Sequence, residues 1–107
     1  MAKERTIIFE GESGKEYRFN IYHKNTKFNE NIGAVYVFCS KDITGFTPLY
    51  IGETGELGKR IADHEKWDCV RFYDCTHICI RAVSGRDERL DIETDLRHNY
   101  DTPCNEQ

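Results

Sequence analysis

Tyr36, Tyr50, Arg60, His64 and Glu93 are the residues whose types and spacing could do chemistry. Arg60 and His64 stand at i and i+4 in GELGKRIADHEKW, so on a helix their side chains converge. A guanidinium presents a planar fork of donors suited to phosphate oxygens. The plain alternative is a solvated helix face with Asp63 or Glu56 as the partner. Tyr36 and Tyr50 fall in two β-branched, aromatic stretches, where a phenol is ordinarily an amphipathic core residue with its hydroxyl satisfied. Glu93 lies between Leu90 and Leu96 in an i, i+3 series, with Tyr100 close by. A carboxylate in apolar company must be protonated or meet a positive partner, either an Arg, a Lys or a metal. Its plain alternative is a helix-edge Glu paired with Arg89 or Arg97.

Two other patterns carry less. The stretch YIGETGELGKR has the look of a phosphate-binding loop, G-x-x-x-x-G-K-[ST]. One residue too many separates Gly52 from Gly58, and Arg60 follows Lys59 where a hydroxyl for Mg²⁺ is needed. Cys75, His77 and Cys79 alternate, and on a strand they would share one face. The outer two would then stand about 13 Å apart at ~3.3 Å per residue. One zinc with bonds of about 2.0 to 2.3 Å cannot span that, so buried free thiols are the better reading.

The elements that must position these residues can be read from pattern. A chain of 107 residues supports one domain. RTIIFE and EYRFNIY read as a hairpin turning through GESGK, and HKNTKFNEN as a loop. A strand is predicted over residues 33–40, KDITGFTP is a turn-rich connector, and LYIGE is a short strand pairing back antiparallel. A helix is predicted over about 55–67 with Thr54 as N-cap, then a loop in DCVRFYDC and a strand in THICIRAV. A second helix begins at a Ser84 cap, with Asp87 and Glu88 in its first turn, and stops at Asp-Thr-Pro. This order predicts an α+β fold. Its small, mainly antiparallel sheet has a three-stranded core plus an N-terminal hairpin, flanked by two main helices. Residues 1–31 form the hairpin extension and loop, and residues 32–107 the main body.

The net charge of −4 counts against a broad nucleic-acid-coating surface, which would be basic. It leaves room for a local cationic cleft at Lys59, Arg60, Lys66 and Arg71. No apolar run approaches the ~20 residues of a membrane span. MAKERTIIFE has no secretion-type apolar region. Five cysteines, an odd number, then favour reduced thiols and a cytoplasmic location.

The succession Ala34-Val35-Tyr36, Tyr50-Ile51-Gly52, Arg60, His64, Glu93 and Asn105 resembles the GIY-YIG nuclease domain, over about Gly33 to Asn105. The second signature is literal and the first degenerate, with Gly33 just ahead of it. The resemblance implies a metal-dependent endonuclease that hydrolyses DNA phosphodiester bonds with Mg²⁺ or Mn²⁺. By that likeness Glu93 is the sole protein ligand of the metal, and Arg60 holds the scissile phosphate. Tyr36 is the general base, Tyr50 orients the water or phosphate, and His64 is an auxiliary proton or phosphate contact. Gly52 and Asn105 support the site, and Lys59, Lys66 and Arg71 are candidate DNA contacts. Specificity then comes from the domain surface, a homodimer or a partner protein. Two competing expectations stand beside it. One is a non-catalytic GIY-YIG-fold module binding DNA or protein. The other is an unrelated small redox or zinc protein.

Overall fold

Period-two alternation builds the sheet of this α+β protein, whose computed structural model describes residues 5–105. The elements are β1 (Thr6–Glu10), β2 (Glu16–His23), β3 (Ala34–Asp42), β4 (Gly45–Thr54), α1 (Leu57–Ala62), α2 (Trp67–Phe72), β5 (His77–Ala82) and α3 (Arg86–Arg97). All five strands join one antiparallel sheet in the order β1-β2-β5-β3-β4. The N-terminal hairpin is therefore not an appendage: β2 pairs with β5, so one sheet runs through both regions.

β3 lies between β5 and β4, and over residues 34–39 it is buried on both faces, which explains the unbroken apolar run there. Ala34, Tyr36 and Phe38 point to one face, where Leu57, Ile61 and Val70 of α1 and α2 cover them. Val35, Val37 and Cys39 point to the other, covered by Ile92 and Leu96 of α3. Removing a side chain such as Leu96 from water contributes roughly 1.5–3 kcal/mol. Asp95 of α3 also ties down the β1–β2 hairpin, accepting hydrogen bonds from the Ser13 and Tyr17 hydroxyls at 2.6 and 2.7 Å.

Several expectations change. KDITGFTP is mostly strand, because β3 and β4 extend to a tight turn at Ile43 and Thr44, with Gly45 at φ 123°. The single helix over 55–67 is two short ones broken at residues 63–66, and DCVRFYDC begins inside α2. The break turns His64 inward, where it is buried. That burial, with a backbone hydrogen bond to its ring, outweighs continuing the helix. Neither predicted cap holds. Glu56 precedes α1 and Gly85 precedes α3, both without a side-chain cap bond. The Thr54 hydroxyl instead accepts from the Glu56 N–H at 3.0 Å.

The thiols also differ from expectation. Cys69 and Cys104 form a disulfide between α2 and the C-terminal tail, while Cys39, Cys75 and Cys79 are free and buried. Cys75 precedes β5 and packs beneath α1 and α2. Cys79 packs on the opposite face, so the two do not share a side of the sheet. Among the described residues no helix is long and apolar enough to cross a membrane.

Candidate functional site

Tyr36, in the middle of β3, is 1% exposed and sits opposite Gly52 of β4 in register. That pairing explains the glycine. A Cβ on residue 52 would stand 2.6 Å from the Tyr36 hydroxyl oxygen and 2.8 Å from the Tyr50 ring. Lacking one, β4 lets the phenol of the adjacent strand lie across it. Tyr50 projects to the same face two residues earlier, its ring 6.2 Å from that of Tyr36 and tilted by 28°.

His64 completes the cluster from the break between α1 and α2. Its Nε2 lies 2.8 Å from the Tyr36 Oη. Its ring meets those of Phe38 and Tyr50 edge-on at 5.1 and 5.0 Å. The Lys66 backbone N–H donates to His64 Nδ1 at 3.1 Å. Nδ1 is thus the unprotonated nitrogen, Nε2 carries the hydrogen, and His64 donates to Tyr36 rather than accepting from it. Burial, helped by nearby Arg60, pushes the His64 pKa down to about 4, so the ring is neutral near pH 7. The Tyr36 hydroxyl hydrogen is left free to point away from the histidine. Burial, then Tyr50, raises the Tyr36 pKa above the usual phenol value, and Arg60 opposes that rise.

Arg60 and His64 are not neighbours on one continuous helix, since α1 ends at Ala62. Both nevertheless bear on Tyr36. Arg60 pairs with Glu65 at 2.6 Å, not with Asp63 or Glu56. Chiefly because of that hydrogen bond, the Glu65 pKa falls to about 2.

Glu93 is half-buried on α3 and forms no hydrogen bond or ion pair among the described residues. Burial raises its pKa, Arg97 opposes this, and Glu53 adds to it. Its charge is also felt at Tyr36. Arg89 is not its partner. That guanidinium is buried and donates to Glu53 at 2.9 Å and to the Val83 and Ser84 carbonyls at 3.1 and 2.7 Å. Gly33 leaves room for it, since a Cβ there would lie 2.5 Å from Arg89 Nη1.

Among the described residues no three His, Cys, Asp or Glu side chains gather as a metal site. Glu93, unpaired among the described residues and with Glu53 nearby but engaged by Arg89, leaves one carboxylate that could ligate a largely hydrated divalent cation. It does not suit zinc, which takes several protein ligands.

Asn105 locks the strand that carries Tyr50 and Gly52. Its Oδ1 accepts from the Ile51 N–H at 2.8 Å, and its Nδ2 donates to the Ile51 carbonyl at 3.0 Å. The adjacent Cys104 is held by its disulfide and by its N–H donating to the Leu49 carbonyl at 3.0 Å. Lys59 is exposed on α1 and Lys66 half-buried in the break. Arg71 lies on α2 with its guanidinium 5.3 Å from the Trp67 ring centre and 3.4 Å from Asp68. Sequence reasoning missed Glu65 and the Glu53–Arg89 pair. A fifth-position partner and a pair between distant elements leave no periodic signal. Comparison with protein-family models, with curated proteins and with solved structures gives no match for this chain.

Proposed function

We propose that the chain is a metal-dependent endonuclease of the GIY-YIG type, hydrolysing phosphodiester bonds of DNA. The observation that carries this reading is the hydrogen bond from His64 to Tyr36 across side-chain-free Gly52. Tyr50, Arg60 and Glu93 all act electrostatically on that same phenol. A core tyrosine with only a structural role needs one partner for its hydroxyl, which His64 supplies; the added influence of Arg60 and Glu93 is what the nuclease reading accounts for.

Glu93 would hold a divalent cation, which would supply positive charge for the phosphate, the leaving 3′-oxygen and a phenolate at Tyr36. The remaining roles belong to side chains. Tyr36 works as base in its deprotonated form, its oxygen held by the Nε2–H of His64. It takes one proton from a water whose oxygen attacks phosphorus as the P–O3′ bond breaks. Tyr50 limits where that water and phosphate can sit. Arg60 exchanges Glu65 for a non-bridging phosphate oxygen, offsetting charge that grows in the transition state. Lys59, Lys66 and Arg71 are proposed contacts to the DNA backbone, with a second copy or a partner protein adding specificity.

The test is incubation of plasmid and branched DNA with Mg²⁺, Mn²⁺ or EDTA, alongside Glu93→Ala and Arg60→Ala. The reading requires cutting that needs both the metal and both side chains. A second reading, a binding module of the same fold that does not cut, draws on the net charge of −4 and the Arg60–Glu65 pair that already occupies the guanidinium. Metal-independent binding without any cut product selects it.

A further inference from the structure

Between the 24–30 loop and α1 lies a cleft of about 380 Å³, within the range of about 300–1,000 Å³ usual for small-ligand sites. Buried Ile61 and half-buried Phe28 and Trp67 give it an apolar lining, joined by half-buried Lys24, exposed Lys27 and one exposed carboxylate, Glu30. We propose that this cleft receives one unpaired nucleotide, its base against Phe28, Ile61 and Trp67 and its phosphate on Lys24 and Lys27. The proposal rests on the reading of the chain as a nucleic-acid enzyme and says where the strand beside the cut goes.

The cleft is built in advance. The Leu57 and Gly58 N–H groups, which a helix start leaves free, donate to the Ile32 and Asn29 carbonyls at 2.9 and 3.1 Å. Gly58 permits that approach, because a Cβ there would collide with the Phe28 carbonyl oxygen. The indole N–H of Trp67 donates to the Ile61 carbonyl at 2.8 Å and fixes the ring. Loop, helix and lining are thus welded without any ligand, so little ordering entropy opposes binding.

The chemistry of the lining selects the occupant. An aromatic and aliphatic lining with a net positive charge from Lys24, Lys27 and Glu30 suits a flat ring carrying an anion, as a base with its phosphate is. Bases stacked and paired in a duplex cannot enter such a recess, so the nucleotide must be unpaired. The cleft also shares a wall with the tyrosine cluster. Arg60 of α1 belongs to the cluster, and Ile61 and Ala62 line the cleft. Phe38 packs against Trp67 at 4.9 Å and His64 at 5.1 Å.

Trp67 is the only tryptophan, so intrinsic fluorescence reports on the cleft directly. The full chain in EDTA is titrated with a short oligothymidylate, an oligouridylate, a blunt duplex of equal length and heparin. The oligothymidylate is expected to give a saturable change, with the duplex and heparin at least about tenfold weaker. Comparison with oligouridylate assigns the sugar. Lys24→Glu with Lys27→Glu weakens binding by about tenfold or more, beyond the loss from the charge-matched pair Lys15→Glu with Lys41→Glu. Ala62→Phe, which fills the cleft without changing charge, removes the response. An unresponsive Trp67, equal binding of duplex or heparin, or equal damage from the control pair overturns the proposal. Binding by a wild-type chain that cuts no DNA with Mg²⁺ or Mn²⁺ discards the nuclease reading alone, and cutting by wild type with a silent Trp67 discards the cleft alone.

Discussion

Replacing Gly52 with alanine tests the packing on which the site depends. The added methyl would sit 2.6 Å from the Tyr36 hydroxyl oxygen, 2.7 Å from its Cζ and 2.8 Å from the Tyr50 ring. All three belong to rings packed in the core, so the strain cannot be relieved by swinging a flexible chain end. Overpacking of this kind costs about 1–3 kcal/mol. For a domain near 100 residues, each kcal/mol lowers Tm by roughly 4–8 °C, so a fall of about 10 °C is expected. Gly55→Ala is the control. There the nearest atom to the added carbon is an Arg89 nitrogen at 3.4 Å, and the change should stay within about 1 kcal/mol of wild type. Thermal and urea unfolding followed by circular dichroism measure both. Adding Tyr36→Phe removes the closest atom, so Gly52→Ala should cost about 0.5–1 kcal/mol less in that background. If Gly52→Ala unfolds like wild type, or Gly55→Ala is equally damaging, the close approach of Tyr36 to β4 is wrong.

His64 makes stability pH-dependent: its pKa, about 4 when folded against about 6.5 unfolded, gives stability fully present above pH 6.5 and lost as pH falls through 4. The loss approaches about 3 kcal/mol in urea unfolding, and His64→Gln should flatten this part of the profile. Cys104→Ser opens a disulfide of sequence separation 35, worth about 4 kcal/mol on the chain-entropy scale, and should lower Tm while leaving Asn105 on a loosened tail. A reductant should reproduce that shift in wild type and leave the variant unchanged. Glu65→Gln releases Arg60 from its carboxylate and should tighten DNA binding in EDTA; unchanged or weaker binding contradicts the proposed exchange of partners.

The strongly patterned parts of the fold were legible. The hairpin of β1 and β2, the pairing of β3 with β4, and α3 follow from alternation, turn residues and helical periodicity. What stayed hidden was set by tertiary contact. The break between α1 and α2 exists because His64 is drawn into the ring cluster, a pull no local propensity encodes. Joining the hairpin to β5 depends on pairing between residues some 60 positions apart, such as Asn20 with Ile80. For the site, residue types identified the groups, but the direction of the His64–Tyr36 hydrogen bond follows only from the Lys66 N–H on the other ring nitrogen. The Cys69–Cys104 bond overrode an argument from cysteine parity, which counts thiols without knowing which meet.

Single-turnover cleavage of DNA with saturating Mn²⁺, measured across about pH 6 to 9 for wild type and Tyr36→Phe, bears most directly on the nuclease account. With Tyr36 as base and its phenol pushed above the ordinary range, the rate should climb about tenfold per pH unit toward a plateau. Tyr36→Phe should lose at least about a hundredfold and the pH dependence with it. A Tyr36→Phe chain that cuts at the wild-type rate, or a wild-type chain that yields no metal-dependent product, contradicts the account.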